Sequence, residues 1–111
     1  MAIFYEFEIE VLRQLIAPKL EAEVFEKIIQ ASQGLDYHFS GSGYFLRVHH
    51  PELPTSRIVC TDPTVLGRHG TILVGFVVFV EHSELTLECH GWGLDELPLD
   101  FREQSLLISL A

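Results

Sequence analysis

The hydrophobic residues between positions 72 and 90 follow two patterns that together predict a β-hairpin. Ile72–Val80 is almost wholly apolar, whereas Leu85–His90 alternates between apolar and polar residues. Pairing Val80 with Leu85 brings the apolar residues of both arms onto one face of an antiparallel ladder. The same register gives two further pairs, Val78 with Leu87 and Phe76 with Cys89. Because the first arm is apolar on both faces, we expect it in the middle of a sheet or under a second layer.

The reverse face of this hairpin is predicted to be partly apolar. Val77 and Phe79 lie on it, beside Thr86, Glu88 and His90. The tail of the chain adds further apolar residues, namely Leu106, Leu107, Ile108 and Leu110. We therefore expect either the tail or a second copy of the chain to cover this face, and a homodimer is one alternative.

Apolar residues recur at three- and four-residue steps in the first third of the chain, which predicts two helices within about residues 6–33. The acids that lie between these apolar residues are interpreted as solvated, and they include Glu6, Glu8 and Glu10. Pro18 suits the first turn of the second helix, which is expected to run from there to Gln33. Gly34 follows as a C-terminal cap, because glycine accepts a left-handed backbone.

Between residues 36 and 90 the apolar period changes to two, which predicts strands. Besides the hairpin, the strand segments are Asp36–Ser40, Tyr44–His50, Arg57–Thr61 and, as a further short piece, Thr64–Leu66. The tail, residues 91–111, is interpreted as irregular, with residues 103–110 forming either a helical turn or an added strand. The chain is therefore predicted to be one α+β domain over residues 1–111. Two N-terminal helices would pack on one face of a four- to five-stranded, mainly antiparallel sheet.

The composition of the chain fits a single domain that folds without disulfide bonds. Of its 111 residues, 48% are hydrophobic, so a core without covalent cross-links is expected. Cys60 and Cys89 lie in strand-like segments, where buried free thiols are common, and they agree with a reducing compartment. No apolar run approaches the ~18 residues needed to span a bilayer, and the first residues lack a basic and apolar leader. A cytoplasmic protein without membrane contact is expected.

The charge of the chain limits the classes of partner that it can bind. Its formal net charge is −9, and its 7 lysine and arginine residues form no basic run. Nucleic-acid binding is disfavoured, since phosphate contacts need clustered basic side chains. The acidity is interpreted either as a source of solubility or as complementarity to a basic protein.

The chain carries no recognisable motif of catalytic or cofactor chemistry. The glycine motifs that bind phosphate are absent, and His82-Ser83-Glu84 matches half of a zinc deaminase signature without its cysteine half. His49-His50 and Cys89-His90 are adjacent pairs on strands, so each pair points to opposite faces and cannot bind one ion from one side. The spacing does not favour a zinc site built across strands from Cys60, Cys89 and a histidine. We predict no catalytic residue, no metal and no cofactor.

The candidate for a partner-binding surface follows the hairpin. His90-Gly91-Trp92-Gly93 places the single tryptophan between two glycines, which leave the indole without bulky sequence neighbours. An aromatic anchor ringed by acids is typical of an interface that faces a basic partner. The alternative is that Trp92 closes the open end of the core. The predicted partner-binding residues are His90, Trp92, Asp95, Glu96, Asp100 and Phe101.

In size, acidity and fold class the chain resembles the immunity proteins that neutralise bacterial toxins, a resemblance that no motif carries. It implies a bacterial protein that neutralises a toxin. The leading hypothesis depends on the net charge of −9 and the missing catalytic motifs, and it is a non-enzymatic cytoplasmic protein that masks a basic protein partner through an acidic surface around Trp92. One alternative is a small enzyme or ligand-binding domain, with a pocket between sheet and helices lined by His38, His49 or His90. Another is a homo-oligomeric structural protein.

Overall fold

The computed structural model describes residues 4–30, 35–93, 96–104 and 106–110, and these form an α+β fold with the helices first. The helical segments are α1 (Glu6–Leu15), a 3-10 turn (Ala17–Lys19), α2 (Ala22–Ile29) and a second 3-10 turn (Phe101–Glu103). The strands are β1 (Leu35–Phe39), β2 (Gly43–His49), β3 (Ile58–Cys60), β4 (Val65–His69), β5 (Ile72–Glu81), β6 (Glu84–Gly91) and β7 (Leu107–Leu110).

The strands form one antiparallel sheet in the order β1-β2-β6-β5-β4-β7, and β3 pairs with β5 beside β4. The predicted α+β class and antiparallel pairing are confirmed. The predicted number of four to five strands is too low, because the sheet has seven. The strands left open are β4 and β7. Strand β4 was expected only as a short piece at residues 64–66, because Gly67 and Gly70 interrupt its apolar pattern, and β7 was one of two alternatives for the tail.

The β5–β6 hairpin has the register that its apolar pattern predicts. Val80 pairs with Leu85, and the pairs further along the ladder are Val78 with Leu87 and Phe76 with Cys89. The two turn residues, His82 and Ser83, both have positive φ angles, 54° and 60°. This backbone twist matches that of the strands, which is why two-residue hairpins adopt it. The turn is also held from outside, since its two N–H groups donate to the carbonyls of Thr55 and Pro54.

The second helix starts later than predicted. Pro18 lies in the 3-10 turn, and the N–H of Leu20 closes that turn on the carbonyl of Ala17. Leu20 and Glu21 then have extended backbones, so α2 begins only at Ala22 and ends at Ile29. The predicted cap Gly34 lies outside the described residues. No helix in the described part of the chain is long and apolar enough to cross a membrane.

The C-terminal tail is only partly irregular, which corrects the prediction for residues 91–111. Residues 101–103 form a helical turn, and β7 adds a strand to the edge of the sheet by pairing with β4. At this edge β7 does not cover the face that carries Val77 and Phe79. Leu107 remains 76% exposed there.

The inner face of the sheet and both helices share one hydrophobic core. Helix α1 contacts β4, β5 and β7, and buried residues of α1, α2 and the sheet belong to a single cluster. Cys60 and Cys89 are buried in this core as free thiols. They lie on β3 and β6, which border β5 on opposite sides, so their backbones are about 10 Å apart and too far for a disulfide. Burial raises the pKa of both thiols.

Candidate functional site

The backbone after β6 holds Trp92 against the outer face of the sheet. The N–H of Gly91 donates to the carbonyl of Ser42 at 2.8 Å, and the N–H of Trp92 donates to the carbonyl of Leu73 at 2.9 Å. The indole lies over Gly75 of β5, where a side chain would occupy its place. A Cβ on Gly75 would overlap the indole nitrogen and would lie 2.9 Å from Nε2 of His90. Gly75 is therefore the platform on which the tryptophan rests.

Trp92 and His90 are joined by a hydrogen bond on this platform. The indole Nε1–H donates to Nε2 of His90 at 3.1 Å. Because that nitrogen accepts, the proton of the neutral imidazole is placed on Nδ1. Nδ1 is buried and has no partner within the described residues. We define the Trp92 patch as Trp92, His90 and Gly75. The indole in this patch is held in one orientation, yet Trp92 is 44% exposed to solvent.

The outer face beside the Trp92 patch has an apolar centre and charged neighbours. The register aligns Phe45, Glu88 and Val77 in one row across β2, β6 and β5. The next row contains Thr86 and Phe79. Two further acids of this face form ion pairs with arginines, namely Glu84 with Arg47 at 3.3 Å and Glu81 with Arg57 at 2.9 Å.

Of the six predicted partner-binding residues, the structure brings two into contact and buries a third in the core. His90 and Trp92 are in contact, and Glu96 and Asp100 are exposed. Asp95 lies outside the described residues. Phe101 is completely buried, because the 3-10 turn at residues 101–103 directs its side chain into the core. Phe101 is therefore not an accessible anchor in this structure.

The three histidines of the alternative hypothesis all lie on the outer face of the sheet. His38 pairs with Phe45, His49 pairs with Glu84, and His90 belongs to the Trp92 patch, whereas the helices pack on the inner face. A pocket between sheet and helices would therefore not be lined by these histidines. An outer-face hollow of about 430 Å³ contains one of them, and it is lined by Asp36, Tyr37, His38, Phe45 and Arg47.

A second polar cluster was not anticipated from the sequence. Glu8 of α1 is fully buried, with 0% of its side chain exposed, and it forms two parallel hydrogen bonds with Arg102. Nε of Arg102 donates to Oε2, and Nη2 donates to Oε1, both at 2.8 Å. The hydroxyl of Tyr44 donates to Oε2 at 2.7 Å, and the N–H of Tyr5 donates to Oε1 at 2.9 Å. The interpretation of Glu8 as solvated was wrong.

The Glu8 cluster, defined as Glu8, Arg102, Tyr44 and Tyr5, is closed by aromatic rings. The guanidinium of Arg102 lies 4.2 Å from the ring centre of Tyr5 and 5.7 Å from that of Tyr37. Burial and the charge of Glu8 raise the pKa of the Tyr44 phenol well above its ordinary value. With both carboxylate oxygens bonded on several sides, the cluster fixes α1, β2 and the C-terminal turn to one another.

The burial of Glu8 could have been predicted from its position in the sequence. Phe4, Val11, Leu12 and Leu15 are buried, and they stand four residues before and three, four and seven residues after Glu8. This spacing puts Glu8 on the apolar stripe of α1. A carboxylate on that stripe needs a buried cation, and Arg102 supplies it.

No group of three His, Cys, Asp or Glu side chains that could hold a metal ion occurs in the ranges that the structure describes. Comparison of the chain with protein-family models, with curated proteins and with solved structures finds no match.

Proposed function

We propose that this protein is a non-enzymatic binding domain that masks a basic protein partner, as an inhibitor or immunity protein does, and that it binds through the Trp92 patch. The observation that carries the proposal is the held but open indole of Trp92. Its backbone, its platform and its hydrogen bond to His90 set the ring in one orientation before any partner arrives. Preorganised tryptophans are typical centres of protein interfaces, because little rotamer entropy is lost on binding.

The charge of the chain supports a basic partner. The formal net charge is −9, and Glu88 lies on the outer face between Phe45 and Val77. An apolar centre with acidic side chains among and around it favours a partner surface with apolar residues and lysine or arginine. Such a pair would meet quickly at low salt, because long-range attraction steers the encounter.

The buried polar groups support a role without catalysis. The carboxylate of Glu8 accepts hydrogen bonds from four donor groups of three residues, so it is not free to act as a general base. Cys60 and Cys89 are buried thiols with raised pKa values, which leaves them protonated and unreactive at neutral pH.

Affinity capture from extracts of the native host tests the proposal. The baits are the wild-type protein, the Trp92→Ala variant and, as a control, the Leu99→Ala variant, which removes another exposed apolar side chain. We expect the wild type and Leu99→Ala to retain one basic protein at low salt and to release it at high salt. Trp92→Ala should retain much less of it. Recovery of no basic protein, or equal recovery by all three baits, would contradict the proposal.

A further inference from the structure

The free edge of β7 differs from a typical sheet edge. One side of β7 pairs with β4, and no strand in the described ranges pairs with its other side. Edge strands usually carry lysine, proline or a bulge, which discourage further pairing. The sequence of β7 is Leu-Ile-Ser-Leu, with neither charge nor proline, and Leu107 and Leu110 are exposed. Within the described residues, the backbone donors and acceptors of this edge are therefore open to another strand.

A groove of about 600 Å³ runs between α1 and the segment that leads into β7. Apolar side chains of Phe7, Leu106 and Ile108 line it, and all three also pack against the hydrophobic core. The charged residues that line it are all acidic, namely Glu6, Glu10 and Glu103. Glu103 is engaged by the hydroxyl of Tyr5, whereas Glu6 and Glu10 form no ion pair within the described part of the chain.

We propose that the edge of β7 and this groove together accept an extended, basic segment of another protein. The segment adds a strand beside β7 through backbone hydrogen bonds, and alternate side chains enter the groove. Its lysine or arginine residues face the carboxylates of Glu6 and Glu10, while its apolar residues contact Phe7 and Ile108. Because β7 has four residues, about four to six residues of the partner pair with it.

The charges favour a basic segment over a second copy of this chain. Two copies that paired through their β7 edges would bring two acidic grooves together, each with Glu6 and Glu10, and both chains have a net charge of −9. Like charges at an interface oppose association. The groove lies on the side of the sheet that α1 covers, so this proposal does not depend on the Trp92 patch.

Fluorescence anisotropy with a labelled ten-residue peptide of repeating Lys-Thr-Val-Thr, which places lysine and valine on the same face of an extended strand, tests this inference. The test variant is E6Q/E10Q, and the matched control is E23Q/E26Q. The control removes two exposed carboxylates from α2, and Glu26 accepts a glutamine amide four residues on, as Glu10 does. We expect E6Q/E10Q to weaken binding about fivefold and E23Q/E26Q to leave it nearly unchanged. Trp92→Ala should bind the peptide as the wild type does.

A second peptide isolates the contribution of the backbone. It has the same sequence with N-methyl groups on alternate residues, which remove the N–H groups that a new strand would use. We expect it to bind much more weakly. Equal binding of the two peptides, equal loss in both double variants, loss in Trp92→Ala, or no binding at millimolar concentration would each overturn the proposal. Sedimentation that shows a dimer broken by Leu107→Arg would assign the edge to a second copy instead.

Discussion

The Glu8 cluster and the Trp92 patch both join hydrogen-bonding side chains to aromatic rings, but they differ in their access to solvent. Glu8 is fully buried and Arg102 is 13% exposed, whereas Trp92 is 44% exposed. In the first cluster every oxygen of the carboxylate has protein donors. In the second, a single hydrogen bond orients the indole, and one imidazole nitrogen has no partner within the described residues.

This difference agrees with a structural role for the Glu8 cluster and with the binding role that we propose for the Trp92 patch. The closed cluster joins parts of the chain that are far apart in sequence, since Glu8 and Arg102 are separated by 94 positions. Removing one member leaves the others buried without partners, which is costly. The open patch contributes little to the folded state, and its ring can still lose contact with water when a partner binds. Substitutions in the Glu8 cluster should therefore lower the free energy of unfolding strongly, whereas substitutions in the Trp92 patch should lower it only a little.

The largest effect is expected from Glu8→Ala. This change leaves the guanidinium of Arg102 and the hydroxyl of Tyr44 buried without their acceptor, so we expect a loss of about 3–5 kcal/mol in the free energy of unfolding. Urea denaturation at neutral pH measures it. The control is Glu10→Ala, an exposed glutamate of the same helix, which should change stability by less than about 0.5 kcal/mol. Similar losses of stability in both variants would contradict the structural role of the Glu8 cluster.

Raising the pH should destabilise the protein through the residues next to Glu8. Tyr44 pairs with Cys89 across β2 and β6, and burial raises both pKa values above the ordinary 10.0 and 9.0. The folded state keeps both protons where the unfolded state loses them. Their stabilising effect is thus complete below pH 9 and declines as the pH rises further, by up to about 1.4 kcal/mol per pH unit for each group.

Unfolding free energies measured from pH 7 to pH 11 check this dependence. Cys89→Ala and Tyr44→Phe should each flatten the decline, because each removes one of the two titrating groups. A decline of unchanged slope in both variants would show that other groups cause it.

The sequence predicts the central β5–β6 hairpin better than the edge strand β7 or the start of α2. The β5–β6 register followed from pairing the apolar arm with the alternating arm so that the buried residues of both share one face. The added strand β7 has four residues, and pairing with β4 rather than periodicity makes it a strand. In the same way, the extended backbone at Leu20 delays α2, although the apolar spacing continues through that residue.

The candidate site was predictable only where the neighbours are close in sequence. His90 and Trp92 are two residues apart, and their association followed from the chain itself. The platform at Gly75 depends on the pairing of two strands, and no local pattern reports which glycine will lie beneath the indole. Phe101 was predicted to be an accessible aromatic beside acids, but a short turn that sequence reasoning did not locate directs it into the core.

A substitution at the platform tests whether Gly75 sets the orientation of Trp92. In Gly75→Ala the new methyl group overlaps the indole nitrogen, so the ring must move away and its hydrogen bond to His90 must break. We expect a loss of about 1 kcal/mol in stability, because the ring has open space to move into. Trp92 is the only tryptophan, so its fluorescence reports the change as a shift to longer wavelength. Val77→Ala, a neighbouring change on β5, should leave the emission unchanged.

The smallest effect is expected from Trp92→Phe, and its matched variant in the closed cluster is Tyr44→Phe. Each removes one hydrogen-bond donor and keeps an aromatic ring. Tyr44→Phe should cost about 2 kcal/mol, because its hydroxyl donates to a buried carboxylate. Trp92→Phe should change the unfolding free energy by less than about 0.5 kcal/mol, since water can reach the nitrogen that it frees. If Trp92→Phe costs as much as Tyr44→Phe, the indole is needed for folding, and the open patch loses its distinction from the closed cluster.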